Sequence, residues 1–222
     1  MQPSVDECRI EIESATSDGR FRVTFVTREG RYENVLLELR GRHQIINVAV
    51  AIRLAESLRR RGFAIPIASI VKGIVTARHP GRLELVDGQP SLLLDGAHNP
   101  SGAQALREFL GEFVHVPLTL VFGAMKDKKL REIAAILFPT AEHVILTEPD
   151  NPRAAGIADL HHLAETIVDQ KNILAAPSVR QAFRQAKEVT PSGGLICVTG
   201  SLYLVGEVKA IMNSSSLSKV AH

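Results

Sequence analysis

Asp95 and His98 stand three residues apart in SLLLDGAHNPSGAQALREF, the segment from Ser91 to Phe109. A carboxylate can orient an imidazole or bind an ammonium, and an imidazole can hold an anion or carry a proton near neutral pH. Leu92-Leu93-Leu94 is an apolar run suited to a buried parallel strand. Gly96 permits a sharp turn, Asn99 is a good helix N-cap, and Pro100 suits the first helical position. Ala103, Leu106, Leu110 and Phe113 then recur at helical spacing, as a buried stripe would. A strand–turn–helix unit of this kind sets Asp95 and His98 in the crevice at the strand end. There, free backbone N–H groups and the helix dipole favour an anion.

Other side chains with usable chemistry are scattered more widely. Arg82, in RHPGRLE, offers a planar guanidinium that can grip two phosphate oxygens; its other reading is an ion pair with Glu84. Asn47, in HQIIN, carries a carboxamide able to donate and accept, with Gln44 one turn earlier on the same face. Ser201, after Thr199-Gly200, is read as a site hydroxyl or as a helix N-cap. His115, His161 and His162 lack metal-ligand spacing and read as surface residues. Lys126-Asp127-Lys128-Lys129 reads as a solvated helix start capped by Asp127. No Ser–His–Asp or Cys–His arrangement is evident.

The elements that must position these residues follow from periodicity. Residues 9–40 alternate apolar and polar, notably at Phe21, Val23 and Phe25 and at Val35, Leu37 and Leu39, with turn signals at Asp18-Gly19 and Glu29-Gly30. This predicts antiparallel hairpins. From His43 the period becomes helical, with Ile46, Val50, Leu54 and Leu58 as the inward stripe and Gly62 as the stop. A second helix spans about 66–77. Beyond the stiff connector at 78–82, a hairpin (83–86 and 92–94) leads into alternating strands and helices. Strands are expected at 118–122, 143–147, 173–176 and 195–199, and helices at about 130–137, 157–169, 179–189 and 202–212. That alternation predicts an α/β fold whose C-terminal part is a mostly parallel, doubly wound, Rossmann-like sheet covered on both faces. The boundaries expected are 1–78, 79–213 and a flexible tail at 214–222.

With 222 residues, 45% hydrophobic and 23% charged, the chain is ordinary for a globular protein that buries a sizeable core. A net charge of +2 gives no electrostatic case for nucleic acid or membrane partners. Cys8 and Cys197 read as reduced thiols. With no basic-then-apolar leader and no long apolar run, the expected compartment is the cytoplasm.

LLLDGAHNP closely resembles the signature of the folylpolyglutamate synthase/dihydrofolate synthase family, within the wider Mur ligases. Further segments agree in order: GRHQIINVAVAI, HPGRLE, GAMKDKKL, EPDNPRAA and VTGSLYLVGEV, so the resemblance covers residues 31 to 212. It implies that residues 1–78 are the end of a central α/β domain with antiparallel strands and two helices, followed by the C-terminal domain. It further implies an ATP- and Mg2+-dependent ligase that joins L-glutamate to folate or dihydropteroate through an acyl phosphate. In that reading Asn47 contacts adenine and Arg82 reaches the ATP phosphates. Asp95 and His98 are catalytic, beside the reacting phosphate, and His98 and Ser201 bind the incoming glutamate. The sequence departs from the family in one respect: no G-x-x-x-x-G-K-[ST] phosphate loop occurs. The expectation is therefore a C-terminal portion with little activity alone, whether it is a truncated gene, an expressed fragment or half of a split enzyme whose partner is a separate N-terminal ATPase domain. The competing reading is a non-catalytic binding or partner module of the same fold. A nicotinamide oxidoreductase is disfavoured because no G-x-G-x-x-G follows a strand.

Overall fold

Alternating side chains in the opening third of the chain close into antiparallel hairpins. In the computed structural model, which describes residues 4–5 and 8–220, the strands are β1 (Ser4–Val5), β2 (Cys8–Ala15), β3 (Phe21–Val26) and β4 (Arg31–Leu36), hydrogen-bonded in that order. The turn between β2 and β3 is held by Asp18, which accepts from the Thr16 hydroxyl and from the Arg20 and Arg40 guanidinium groups. Ile10, Phe21, Val23, Phe25 and Leu37 are fully buried. Two helices complete this unit, α1 (Arg42–Arg60) and α2 (Ile67–Thr76). Gly62, with φ +94°, follows the end of α1, at the stop position that the sequence marks.

The side of α1 that is buried differs from the expected one. Its inward residues are Gln44, Ile45, Val48, Ala49, Ile52 and Glu56, whereas Ile46, Val50, Leu54 and Leu58 are exposed. Glu56 is fully buried and accepts hydrogen bonds from Thr27 Oγ1 at 2.5 Å, Tyr32 Oη at 3.1 Å and Arg53 Nη1 at 3.3 Å. Burial first, and then the Glu56 carboxylate, push the Tyr32 phenol up to about 12. Replacing Glu56 by Ala would strand these donors in the core, so a stability loss of about 3 kcal/mol is expected in urea unfolding. A loss below about 1 kcal/mol would contradict the network.

The chain divides at His79/Pro80 into two units. The second is built on a six-stranded sheet: β5 (Glu84–Val86), β6 (Ser91–Leu94), β7 (Leu118–Phe122), β8 (His143–Thr147), β9 (Ile173–Ala176) and β10 (Leu195–Thr199). Its order is β5-β6-β10-β7-β8-β9, with β5 antiparallel and every other pairing parallel. The helices are α3 (Pro100–Phe113), α4 (Leu130–Leu137), α5 (Ile157–Glu165), α6 (Val179–Val189) and α7 (Leu202–Val220). Alternate strand residues feed two cores. Leu93, Leu120, Phe122, Val144 and Cys197 pack with α3, α4 and α5, while Leu92, Leu94, Val121, Ile145 and Ile196 pack with α6 and α7.

Local signals fixed most element ends. Asn99 caps α3 by accepting from Gly102 N at 2.7 Å, and Ser178 caps α6 by accepting from Gln181 N at 3.3 Å. Asp127 does not cap α4: the helix has no side-chain cap, and the Asp127 carboxylate pairs with Lys128 at 3.1 Å. α5 stops at Glu165, short of the expected 169, because the amides of Thr166 and Ile167 close a tight turn onto Leu163 and Ala164. The expected tail at 214–222 is helical through Val220, and residues 221–222 lie outside the described residues. Among the described residues no helix is long and apolar enough to cross a membrane.

Candidate functional site

β10, the last strand in sequence, lies between β6 and β7. The helices that follow β6 and β10, α3 and α7, pack on opposite faces of the sheet. Where neighbouring strands send their helices to opposite faces, a crevice opens beyond the strand ends, and open α/β sheets bind ligands there. Asp95-Gly96-Ala97-His98 occupies one lip and Gly200-Ser201 the other. Gly200 has φ +109°, and a side chain there would meet the Gly123 carbonyl at 2.7 Å, so only glycine lets the ends of β10 and β7 lie so close.

Asp95 is only 6% exposed and works on backbone. Oδ2 accepts from Leu83 N and Oδ1 from Ala97 N, both at 2.9 Å. One carboxylate thus fastens the segment at Leu83 to the turn that carries His98. Leu83 is buried with φ +44°, a conformation costly for a branched side chain, and the bond from Asp95 helps to hold it there. Gly96 N donates to the Gly81 carbonyl at 2.7 Å, and Gly81 N donates to Glu84 Oε2 at 2.7 Å. Leu202 packs where a side chain on Gly96 would stand.

Two cationic or polar side chains meet on one atom of this corner. Arg82 Nη1 donates to the Gly96 carbonyl at 3.3 Å, and His98 Nδ1 lies 2.8 Å from the same oxygen. A carbonyl oxygen can only accept, so Nδ1 carries the proton and Nε2 is left to accept or to be protonated. Both side chains are half-buried. The structure therefore gathers Arg82, Asp95 and His98 around Gly96. Ser201 lies at the neighbouring lip, where its Oγ accepts from Leu204 N at 3.1 Å and so caps α7; its hydroxyl proton is directed elsewhere. Asn47 belongs to the other unit: it is exposed on α1 and donates to Gln44 Oε1 at 3.0 Å.

Both cysteines are buried free thiols. Burial first, and then the Asp95 charge, push Cys197 well above the ordinary thiol value, and burial with the Glu56 charge also raises Cys8. A guanidinium, a carboxylate and an imidazole around one turn suit chemistry that needs charge neutralisation and placement.

The sequence profile described as Mur ligase, glutamate ligase domain matches residues 81–202, a span that contains this whole corner. The chain belongs to the Mur ligase family. It is 34% identical over 92% of its length to a dihydrofolate synthase/folylpolyglutamate synthase of Bacillus subtilis, 47% of which it covers. A Mycobacterium tuberculosis folylpolyglutamate synthase complexed with ADP matches with TM-score 0.83 and 25% identity, covering 92% of this chain and 47% of that one. A bifunctional folylpolyglutamate synthase/dihydrofolate synthase from Yersinia pestis, complexed with AMPPNP and Mn ion, matches with TM-score 0.72 and 25% identity, covering 86% and 44%. The chain thus spans about half the length of these relatives. Among the described residues no three His, Cys, Asp or Glu side chains gather in a way that could hold a metal ion.

Two features of the corner were not anticipated. Glu84 does not pair with Arg82; its carboxylate binds Lys209 Nζ at 2.7 and 2.9 Å as well as Gly81 N, leaving Arg82 directed at Gly96. Lys209 lies 125 residues away on α7, so no local pattern could reveal the pair. Thr199 Oγ1, at the end of β10, is fully buried with no hydrogen-bond partner; its apolar strand context conceals this. Burial alone would raise the Glu84 carboxyl, but the bonds from Lys209 and Gly81 hold it below the ordinary value near 4.5. A group with a depressed folded pKa stabilises fully above its unfolded pKa, and that stabilisation is lost as pH falls through the folded pKa. Stability should therefore fall as pH drops below about 4.5, and Lys209→Met should make that fall shallower while lowering stability at neutral pH. Urea midpoints at stepped pH check this; identical acid profiles would contradict it.

Proposed function

We propose that this chain is the glutamate-handling portion of an ATP-dependent ligase that adds L-glutamate to a folate or dihydropteroate carboxylate through an acyl phosphate. The observation that carries the reading is the convergence of Arg82, Asp95 and His98 on the Gly96 turn at the strand-order reversal. Arg82 grips phosphate oxygens and, with the amino-terminal end of α3, offsets their charge. His98, its Nδ1 proton engaged by Gly96, presents Nε2 to the reactants. There it takes a proton from the incoming ammonium so that the amine can attack. Asp95 holds both loops at the required spacing, and Ser201 donates to the glutamate. Asn47 addresses adenine with its carboxamide. The kinship to enzymes named folylpolyglutamate or dihydrofolate synthase supports the substrate class. ATP and Mg2+ belong to the complete enzyme; the phosphate loop that this reading requires is not among these 222 residues.

Radiolabelled glutamate transfer to tetrahydrofolate or dihydropteroate, with and without ATP, tests this. The purified chain alone should show at most trace activity, and activity should appear when a phosphate-loop polypeptide is supplied. Robust ATP-dependent glutamylation by the chain alone would overturn the division of labour. Absence of activity even in the assembled enzyme would overturn the ligase reading.

A further inference from the structure

α7 presents one stripe to the turn that carries Arg82. Leu202, Val205 and Lys209 recur at helical spacing and so share a face of the helix. Leu202 and Val205 both stand 3.2 Å from where a side chain on Gly81 would begin, and Leu202 also covers Gly96. Lys209 ends the stripe, with Nζ donating to the two oxygens of Glu84 at 2.7 and 2.9 Å. Glu84 Oε2 also accepts from Gly81 N, and the Gly81 carbonyl accepts from Gly96 N. Arg82 follows Gly81 in the chain and donates to the Gly96 carbonyl at 3.3 Å.

Glu84 is the carboxylate best placed to capture Arg82. One residue separates the two, and a guanidinium forks readily onto a carboxylate. Such a pair would consume the N–H donors that a phosphate needs. Asp95, the other carboxylate of the corner, has one oxygen on Leu83 N and the other on Ala97 N. We propose that Lys209 is a positioning residue: it holds Glu84 against α7, so that Arg82 stays on the Gly96 carbonyl with donors left for phosphate. The benefit to phosphate binding rests on the ligase reading; the partition of charge does not. Ser201 caps the same helix. At 1.5 Å per residue, α7 is thus a strut of about 12 Å from the Ser201 cap to the Glu84 clamp. One rigid element sets the lip assigned to glutamate and the lip assigned to phosphate.

Three variants of the full chain test this: Lys209→Met, Lys209→Arg and Glu84→Gln/Lys209→Met. The guanidinium NMR signals of Arg82, assigned by their loss in Arg82→Lys, report which group Arg82 donates to. Calorimetric titration with inorganic tripolyphosphate reports anion affinity. Lys209→Met should move the Arg82 signals and weaken tripolyphosphate binding about tenfold, the scale of one charged hydrogen-bond partner. Glu84→Gln/Lys209→Met should restore the signals and bring affinity to within about twofold of the parent, the coupling expected of groups that act through each other. The neutral amide still accepts from Gly81 N but does not compete for the guanidinium. Lys209→Arg should match the parent in both readouts. A merely structural ion pair predicts the contrary, a double variant no better than Lys209→Met. Circular dichroism checks folding, and Lys209→Gln replaces Lys209→Met if the latter does not fold. Arg82 signals unmoved by loss of the Lys209 charge, or no recovery in the double variant, overturn the proposal. Signals that move and return while tripolyphosphate binds every form equally, or none, would sink the phosphate role of Arg82 and leave the partition of charge standing.

Discussion

Asp95→Ala is expected to cost the C-terminal unit about 4 kcal/mol. The carboxylate accepts two backbone N–H groups in a site that is almost fully buried, and hydrogen bonds to a charged acceptor contribute about 1.5–3 kcal/mol each. The loss also frees Leu83, whose positive φ is tolerable only while its amide is held. Asp95→Asn should do roughly half the damage, because its amide oxygen keeps one N–H while its NH2 group faces the other donor. The chain has no tryptophan, so far-UV circular dichroism in urea is the natural measurement. Amide exchange gives a second readout: Leu83 and Ala97 should lose protection together. If Asp95→Ala cost less than about 1 kcal/mol, or left both amides protected, the carboxylate would not be the fastener between the Leu83 segment and the turn. In the assembled enzyme the same variant should lose glutamylation because Arg82 and His98 are no longer presented at a fixed spacing.

Arg82→Lys is expected to lower kcat/KM for ATP-dependent glutamylation by the assembled enzyme about 10²- to 10³-fold, or about 2.7–4 kcal/mol of transition-state stabilisation. Lysine retains the charge but lacks the planar fork that the proposed phosphate contact needs, and it cannot serve that contact while also donating to Gly96 as Arg82 does. The side chain is half-buried and lies in a bend outside the sheet, so melting should change little. Retention of activity within about threefold would remove Arg82 from phosphate handling. A parallel collapse in melting temperature would assign it to holding the Gly96 turn alone.

How far the sequence could be read depended on the range of the interaction concerned. Asn99 and Pro100 announce their helix start because a cap is made within four residues, and the strand limits at 118–122, 143–147 and 195–199 follow from uninterrupted apolar runs between breakers. The phase of α1 was not legible. Both Ile45/Val48/Ile52 and Ile46/Val50/Leu54 satisfy helical spacing, and only packing decides which stripe turns inward. Asp127 looked like a cap because of its position before Leu130, yet the turn from Met125 to Leu130 is closed by backbone bonds instead. At the site, the motif located Asp95 and His98. It did not reveal that both oxygens of Asp95 are occupied by main chain, nor that Glu84 answers to Lys209. Those partners are fixed by the sheet order, which brings residues distant in sequence to one corner.

The position of β10 has a consequence for biosynthesis. The strand made last is a central one, flanked by β6 and β7, so a nascent chain must wait with two apolar strand borders unpaired until residues 195–199 leave the ribosome. Shortening the chain from its carboxyl end past Leu195 should therefore not trim the unit but prevent it from closing. The prematurely terminated product would be prone to aggregation and dependent on chaperones.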